Sequence, residues 1–184
     1  PIGQVIIKMA AGPGNIVVGY GSGNTLLRST DFGDTWTLLG ERYSENFNGV
    51  SFTDLNHGWV AGSHGMIIYT TNSGHRWLLA QSNQSFDLYS IHFPDNQFGW
   101  VCGDGGVIMN SNDGGLSWQH QSSNVSSTLY AIRFETNLLG ITVGFGGRIL
   151  RTTDGGVTWS NAVSGTSNNL YSIAFISPHY WMVV

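Results

Sequence analysis

Side chains able to do chemistry are few in this chain, and the most regular of them recur with a period. Asp31, Asp113 and Asp154 stand at one phase of a 41-residue repeat, and Asn72 holds that phase between the first two. Carboxylates can ligate metals or act as general acid and base. Here each belongs to a separate copy of one unit, so they are expected on one face but too far apart to cooperate. Arg28, Arg133 and Arg151 could hold an anion, yet Arg28 and Arg151 share one repeat position three units apart. That suggests a repeated surface feature and not a converging set. Glu41, Glu45 and Glu135 fall in or near loops. His57, His64, His75, His92, His120 and His179 show neither H-x-H nor H-E-x-x-H spacing, and there is no G-x-S-x-G elbow. The glycines recur at the repeat period and read as turn residues, not as a phosphate loop. Cys102 is the only cysteine, which excludes an internal disulfide, and within Trp100-Val101-Cys102 it reads as a small buried hydrophobe. No metal, no cofactor and no catalytic group is expected.

Composition narrows the class. The 184 residues suffice for one domain with a sizeable core. Charged residues make up 10%, against about 25% in an average protein, and polarity comes from Gly, Ser, Thr and Asn. The net charge of −4, with seven basic residues and no run of them, argues against nucleic acid as a partner. No apolar stretch reaches the length of a membrane helix, so no membrane insertion is expected. Pro1 without a preceding Met suggests a processed or trimmed chain, and the composition leans toward an extracytoplasmic protein, whether periplasmic, secreted or lumenal. Asn83-Gln84-Ser85 and Asn124-Val125-Ser126 fit the N-glycosylation pattern.

The elements that must position these residues follow from the period. Leu88-Tyr89-Ser90-Ile91-His92-Phe93 is matched by Leu129–Phe134 and Leu170–Phe175, and more weakly by Asn48–Phe52. Their alternation predicts a strand with one apolar face. Gly58-Trp59-Val60-Ala61, Gly99–Cys102 and Gly140–Val143 predict a second strand. A turn follows, with glycines at 21, 62, 103 and 144 and again at 65, 106 and 147, expected to supply the positive φ of a tight hairpin. Met66–Tyr69, Val107–Asn110 and Arg148–Arg151 predict a third strand, and a Trp-ending motif opens a fourth. Such short connections imply an all-β protein of four-stranded antiparallel meanders. About 4.5 units of 41 residues fit a β-propeller in which each blade buries its faces on its neighbours; a linear β-solenoid usually has a shorter coil. The blades run approximately over 5–44, 47–85, 88–126 and 129–167, with a partial blade at 170–184, all in one domain 1–184. This suggests a five-bladed, partly open arrangement or a piece of a larger propeller, with self-association through the incomplete blade as a possibility.

The motif itself reads Ser29-Thr30-Asp31-Phe32-Gly33-Asp34-Thr35-Trp36, then Thr70–Trp77, Ser111–Trp118 and Thr152–Trp159. Asp31, Asn72, Asp113 and Asp154 are expected to accept hydrogen bonds from backbone N–H groups two residues on, and Gly33, Gly74, Gly115 and Gly156 to take the awkward dihedral. Trp36, Trp77, Trp118 and Trp159 should bury their rings between blades. The second copy departs from the pattern at Asn72 and Arg76 and is expected to be weaker.

This pattern closely resembles the Asp-box, or bacterial neuraminidase repeat. The resemblance covers nearly the whole chain and implies a β-propeller with each box between a blade's third and fourth strands. Sialidases, xyloglucan-type glucanases, sortilin-like receptors and the photosystem II assembly and stability factor family carry such boxes. Likeness to sialidases would require an arginine triad, a Tyr–Glu nucleophile pair and an acid–base Asp; no Arg-Ile-Pro segment precedes the first box here. Likeness to the glucanases would require carboxylates facing each other between two propellers. Phe98-Gly99 through Trp118 and Leu139-Gly140 through Trp159 look most like the photosystem II factor family, which implies a non-catalytic protein-binding propeller. Its photosynthetic members carry an arginine patch, whereas this chain has few arginines.

Recognition is expected on the loops opposite the boxes, because variable loops on a rigid scaffold carry function. His64, Asp104, Phe145 and Arg148, with Tyr43 nearby, are the candidate partner-binding residues. A protein partner is the first reading. Glycan binding is the alternative, and it would require the same residues in every repeat.

Overall fold

A computed structural model describes residues 6–11, 17–21, 25–39, 45–177 and 180–184. Four sheets of four strands and one hairpin account for them. The first sheet holds β1 (Ile6–Ala11), β2 (Val17–Gly21), β3 (Thr25–Ser29) and β4 (Thr37–Leu38). The second holds β5 (Phe47–Phe52), β6 (Gly58–Gly62), β7 (Ile67–Thr70) and β8 (Leu78–Leu79). The third holds β9 (Leu88–His92), β10 (Gly99–Gly103), β11 (Ile108–Ser111) and β12 (Gln119–Gln121). The fourth holds β13 (Leu129–Phe134), β14 (Gly140–Gly144), β15 (Ile149–Thr152) and β16 (Ser160–Ala162). β17 (Ile173–Ser177) and β18 (Tyr180–Val183) pair with each other and with no strand of the first sheet. Every pairing within a sheet is antiparallel and sequential, the meander of a propeller blade.

The first strands β1, β5, β9, β13 and β17 contact one another in order, so they line the inside of an arc of blades. Four apolar clusters lie between successive blades, and none lies within a single sheet. Leu26 of the first blade packs with Val50, Ile68 and Trp77 of the second. Trp59 and Ile67 pack with Leu88, Met109 and Trp118 of the third. Trp100 and Ile108 pack with Leu129, Leu150 and Trp159 of the fourth. Ala131 and Val143 pack with Leu170, Ile173 and Trp181 of the last hairpin. Blade stacking covers both faces of the second strand. All five residues of β6 and of β10 are buried, because a blade is covered on both sides.

The turn glycines divide into two roles. Gly62, Gly103 and Gly144 do not have positive φ; their backbone is extended, with φ of −152°, −169° and −168°. A Cβ there would lie 2.1–2.3 Å from the carbonyl oxygens of Asn46, Asp87 and Thr128, so close strand approach excludes a side chain. The second glycines, Gly65, Gly106 and Gly147, do have positive φ, 73° in each. Between them His64 (φ 53°), Gly105 (φ 65°) and Gly146 (φ 66°) hold the left-handed middle of a three-residue turn. His64 is the residue that bears strain there.

Candidate functional site

The meander sends two kinds of connection to opposite ends of the blades. The Trp motifs and the loops joining first to second strands occupy one end, the motif end. The turns Ser63–Gly65, Asp104–Gly106 and Phe145–Gly147, with the connections between blades, occupy the other, the turn end.

At the motif end each copy is a closed hydrogen-bond cage. The hydroxyls of Ser29, Thr70, Ser111 and Thr152 donate to the Oδ1 atoms of Asp31, Asn72, Asp113 and Asp154 over 2.7–3.0 Å. The same hydroxyls accept from the N–H groups of Gly33, Gly74, Gly115 and Gly156. The Asp or Asn Oδ1 accepts from the backbone four residues on, at Thr35, Arg76, Ser117 and Thr158, and not two residues on as the sequence suggested. Two successive left-handed residues, such as Gly114 (φ 75°) and Gly115 (φ 85°), curl the chain past the nearer N–H groups. Hydroxyls of Thr35, Ser117 and Thr158 close the cage on the second carboxylate oxygen. Arg76 has no hydroxyl, so the second copy lacks that bond. Hydrogen bonds from the Thr35 side chain and backbone and from Ser29 hold Asp31 down at about 2. Thr158 and Thr152 do the same for Asp154, also at about 2. Burial opposes the effect at Asp113, but the bonds from Ser117, Ser111 and Leu116 outweigh it. Both oxygens of these carboxylates are thus engaged within their own turns.

Trp77, Trp118 and Trp159 are buried in the clusters between blades. Trp36 is half-buried. An aromatic layer under the motifs was not evident in the sequence. Trp59 stacks on Phe93 at 3.7 Å and Trp100 on Phe134 at 3.6 Å, and Trp118 and Trp159 meet those phenylalanines edge-on.

The remaining chemical residues disperse. Arg28 Nη1 is 3.2 Å from His75 Nε2. Arg133 lies on the inner strand β13, and Arg151 lines a cavity of about 340 Å³ with Glu135, Ile141 and Trp181. The three arginines form no common anion site. His57 pairs with Asp54 at 2.8 Å, beside Asn96, in the loops of the motif end. Burial and the charge of Arg133 push His92 down to about 3, and its Nδ1 accepts from the Phe134 N–H. Among the described residues no group of three His, Cys, Asp or Glu side chains could hold a metal ion.

At the turn end Tyr89 of β9, Tyr130 of β13 and Tyr171, two residues before β17, form a row. Ring centroids are 5.9 Å apart for Tyr89 and Tyr130, and 4.8 Å apart for Tyr130 and Tyr171. Asn48 holds this place in the second blade and donates to the Leu88 carbonyl instead. Tyr89 Oη donates to Asp104 Oδ2 at 3.2 Å, and Thr128 donates to Asp104 Oδ1 at 2.9 Å. Burial, then the neighbouring Asp104 charge, raise Tyr89 to about 12, so it stays a donor. Tyr171 of the row is exposed, as are Phe86 and Phe145 at the same end. Of the candidate partner residues, His64, Asp104 and Phe145 lie in the turns, and His64 Nδ1 pairs with Glu45 at 2.5 Å. Arg148 turns outward to Asn161 Oδ1 on β16. Tyr43 lies outside the described residues. The tyrosine row was missed because its residues read as the apolar face of a strand; the signal was Tyr recurring at 89, 130 and 171 while residue 48 breaks the series.

Comparison with known proteins decides the class of this molecule. A family model described as photosynthesis system II assembly factor YCF48 matches residues 41–124 and 72–162. The chain belongs to the YCF48 family. Among solved structures, YCF48 bound to D1 peptide aligns at a TM-score of 0.60 and 18% identity, over 100% of this chain and 91% of that one. YCF48 from Cyanidioschyzon merolae aligns at a TM-score of 0.54 and 14% identity, over 100% of this chain and 94% of that one. An ancestral GH74 enzyme aligns at a TM-score of 0.73 and 21% identity, over 88% of this chain but 24% of the enzyme. Identities this low show the YCF48 and GH74 structures to share the propeller fold with this chain and nothing more. No curated protein matches the sequence.

Proposed function

We propose that this chain is a non-catalytic propeller scaffold that binds a protein segment at its turn end, and that it works outside the cytoplasm. The observation that carries the reading is the row Tyr89–Tyr130–Tyr171, whose last ring is exposed, together with exposed Phe86 and Phe145 at the same end. Aromatic side chains exposed on a rigid frame are the residues that anchor protein interfaces. The YCF48 relative solved with a D1 peptide supports a peptide as the kind of partner. The staple role of Asp31, Asn72, Asp113 and Asp154 supports the absence of catalysis, because these carboxylates are consumed by their own turns. The glycan alternative finds less support. The turn residue is His64 in one blade and Gly105 or Gly146 in the next two, so equivalent pockets would not recur.

A pull-down from extracts of the source organism tests the reading. Immobilised wild-type chain should retain a specific protein that the Phe145→Ala/Tyr171→Ala variant releases, while a glycan array stays blank. Equal capture by the variant, or multivalent glycan binding, refutes it.

A further inference from the structure

The inner edges of the first strands carry a regular hydrogen-bond pattern that breaks at one joint. Each first strand pairs on one side only, with the second strand of its own blade. Alternate N–H groups on its free side therefore need acceptors from elsewhere. The preceding blade supplies them. Phe93 N–H donates to Ser51 Oγ at 3.1 Å, Ile132 N–H to Ser90 Oγ at 3.3 Å and Phe134 N–H to His92 Nδ1 at 3.2 Å, each pair 42 residues apart. Ile91 faces Gly49 at that spacing, and there the backbones close up, since a Cβ on Gly49 would lie 3.0 Å from the Ile91 nitrogen.

The joint between β13 and β17 has neither device. Ser172 and Val184 exchange both backbone hydrogen bonds at 3.1 Å, so the N–H groups of Ile173 and Phe175 face away from β18. The residues that should serve them at the same spacing are Ala131, which has no acceptor, and Arg133, which has only donors. Among the described residues no group on another blade accepts from either N–H. Ile173 is 6% exposed, and a buried N–H without an acceptor is rare in folded proteins. Arg133 is half-buried and has no anionic partner among the described residues, whose ion pairs are His57–Asp54 and His64–Glu45. Glu135 lines the cavity that holds Arg151. His92, whose ring feels the Arg133 charge, is neutral and has its Nδ1 engaged by Phe134.

Donors thus meet donors at this joint, and what completes the set is a negatively charged acceptor. We infer that the inner side of the β13–β17 joint binds a small oxyanion of the phosphate or carboxylate class. The Arg133 guanidinium holds its charge through charge-assisted hydrogen bonds, in the fork geometry that suits such groups. The Phe175 N–H, which stands where Phe134 N–H meets His92 one blade earlier, donates to a second oxygen, and the Ile173 N–H faces the same side two residues away. The site lies inside the arc and not at the turn end, so it goes beyond the scaffold reading and does not rest on it.

Calorimetric titration of the intact chain with inorganic phosphate, and in a second arm with N-acetylated tetra-glutamate, tests the inference and separates a free anion from a carboxylate carried by a peptide. Phosphate should bind saturably at one site. Arg133→Gln should weaken it about tenfold. Arg133→His installs the side chain that the preceding blade uses at this position, and it should also weaken phosphate about tenfold while its melting temperature stays at or above that of the wild type. Arg151→Gln, an equal loss of charge on the same blade, should leave the affinity unchanged. Binding of tetra-glutamate alone, lost in Arg133→His, would support the site and assign its anion to a peptide carboxylate. Equal loss in Arg151→Gln and Arg133→His, or no binding of either probe that depends on Arg133, overturns the inference.

Discussion

The indole Nε1 of Trp59 donates to the carbonyl of Gly114, 2.8 Å away and one blade further on. Trp100 makes the same bond to Gly155 at 3.0 Å, but there Gln121 Nε2 donates to that carbonyl as well, at 2.8 Å. A second-strand tryptophan thus ties the third and fourth motifs to the preceding blade. Trp59→Phe should therefore cost more stability than Trp100→Phe. Gly114 loses its described side-chain partner, whereas Gly155 keeps one, and a buried acceptor left unpaired costs about 1–3 kcal/mol. Urea denaturation of the two variants checks the order; equal losses would mean that the indole bonds carry none of the energy.

Close contact at the motif glycines gives a second expectation. Gly33 and Gly115 both have positive φ, so alanine strains either turn by about 1 kcal/mol. A Cβ at Gly115 would also lie 2.5 Å from Trp59 Nε1, while at Gly33 the nearest neighbour is 3.7 Å away. Gly115→Ala should lower the melting temperature clearly more than Gly33→Ala. A similar drop in both would show that the Trp59 ring moves aside freely.

The second motif copy can be repaired. Asn72 and Arg76 keep the backbone bond but lack the carboxylate–hydroxyl contact that Asp113 and Ser117 make at 2.6 Å. Asn72→Asp with Arg76→Thr should raise stability by about 0.5–1 kcal/mol, with each single change contributing less than its share. The double-mutant cycle reads the coupling, and a coupling of zero would separate the cage from stability.

Stability should depend on pH through His92, whose folded value is pushed down to about 3 by burial and Arg133. In the unfolded chain it is near 6.5. Between those values the unfolded state binds the extra proton, so stability rises with pH from about 3 to about 6.5 and is lost on acidification. The loss should be about 2.5 kcal/mol at pH 4.5. His92→Gln keeps an acceptor for the Phe134 N–H and should flatten that segment of the curve. Asp31 and Asp154, held at about 2, add a separate loss only below about 3.8. Denaturation midpoints at pH 7, 4.5 and 2.5 separate the two groups.

How far the sequence could be read follows from the range of each interaction. The motif cage closes within eight residues, so Ser111, Asp113, Gly115 and Ser117 announce it by type and spacing. Its donors were misplaced by two residues because successive left-handed residues are a matter of dihedrals. Gly103 looked like a hairpin glycine needing positive φ, but the Asp87 carbonyl that excludes its side chain comes from the segment just before β9. Tyr89 and Tyr130 looked like core because alternation cannot tell a ring between blades from one at the rim.

By itself the sequence determined the repeat, the meander and the four motif turns, since each depends on hydrogen bonds and hydrophobic periodicity inside one 41-residue unit. Tertiary structure alone decided what meets across units. It set Trp59 against Gly114, buried both faces of β6 and β10, and lined up Tyr130 between Tyr89 and Tyr171. The reason is geometric. The stagger between neighbouring blades selects these pairs, and that stagger arises from packing whole sheets together, which no single repeat encodes.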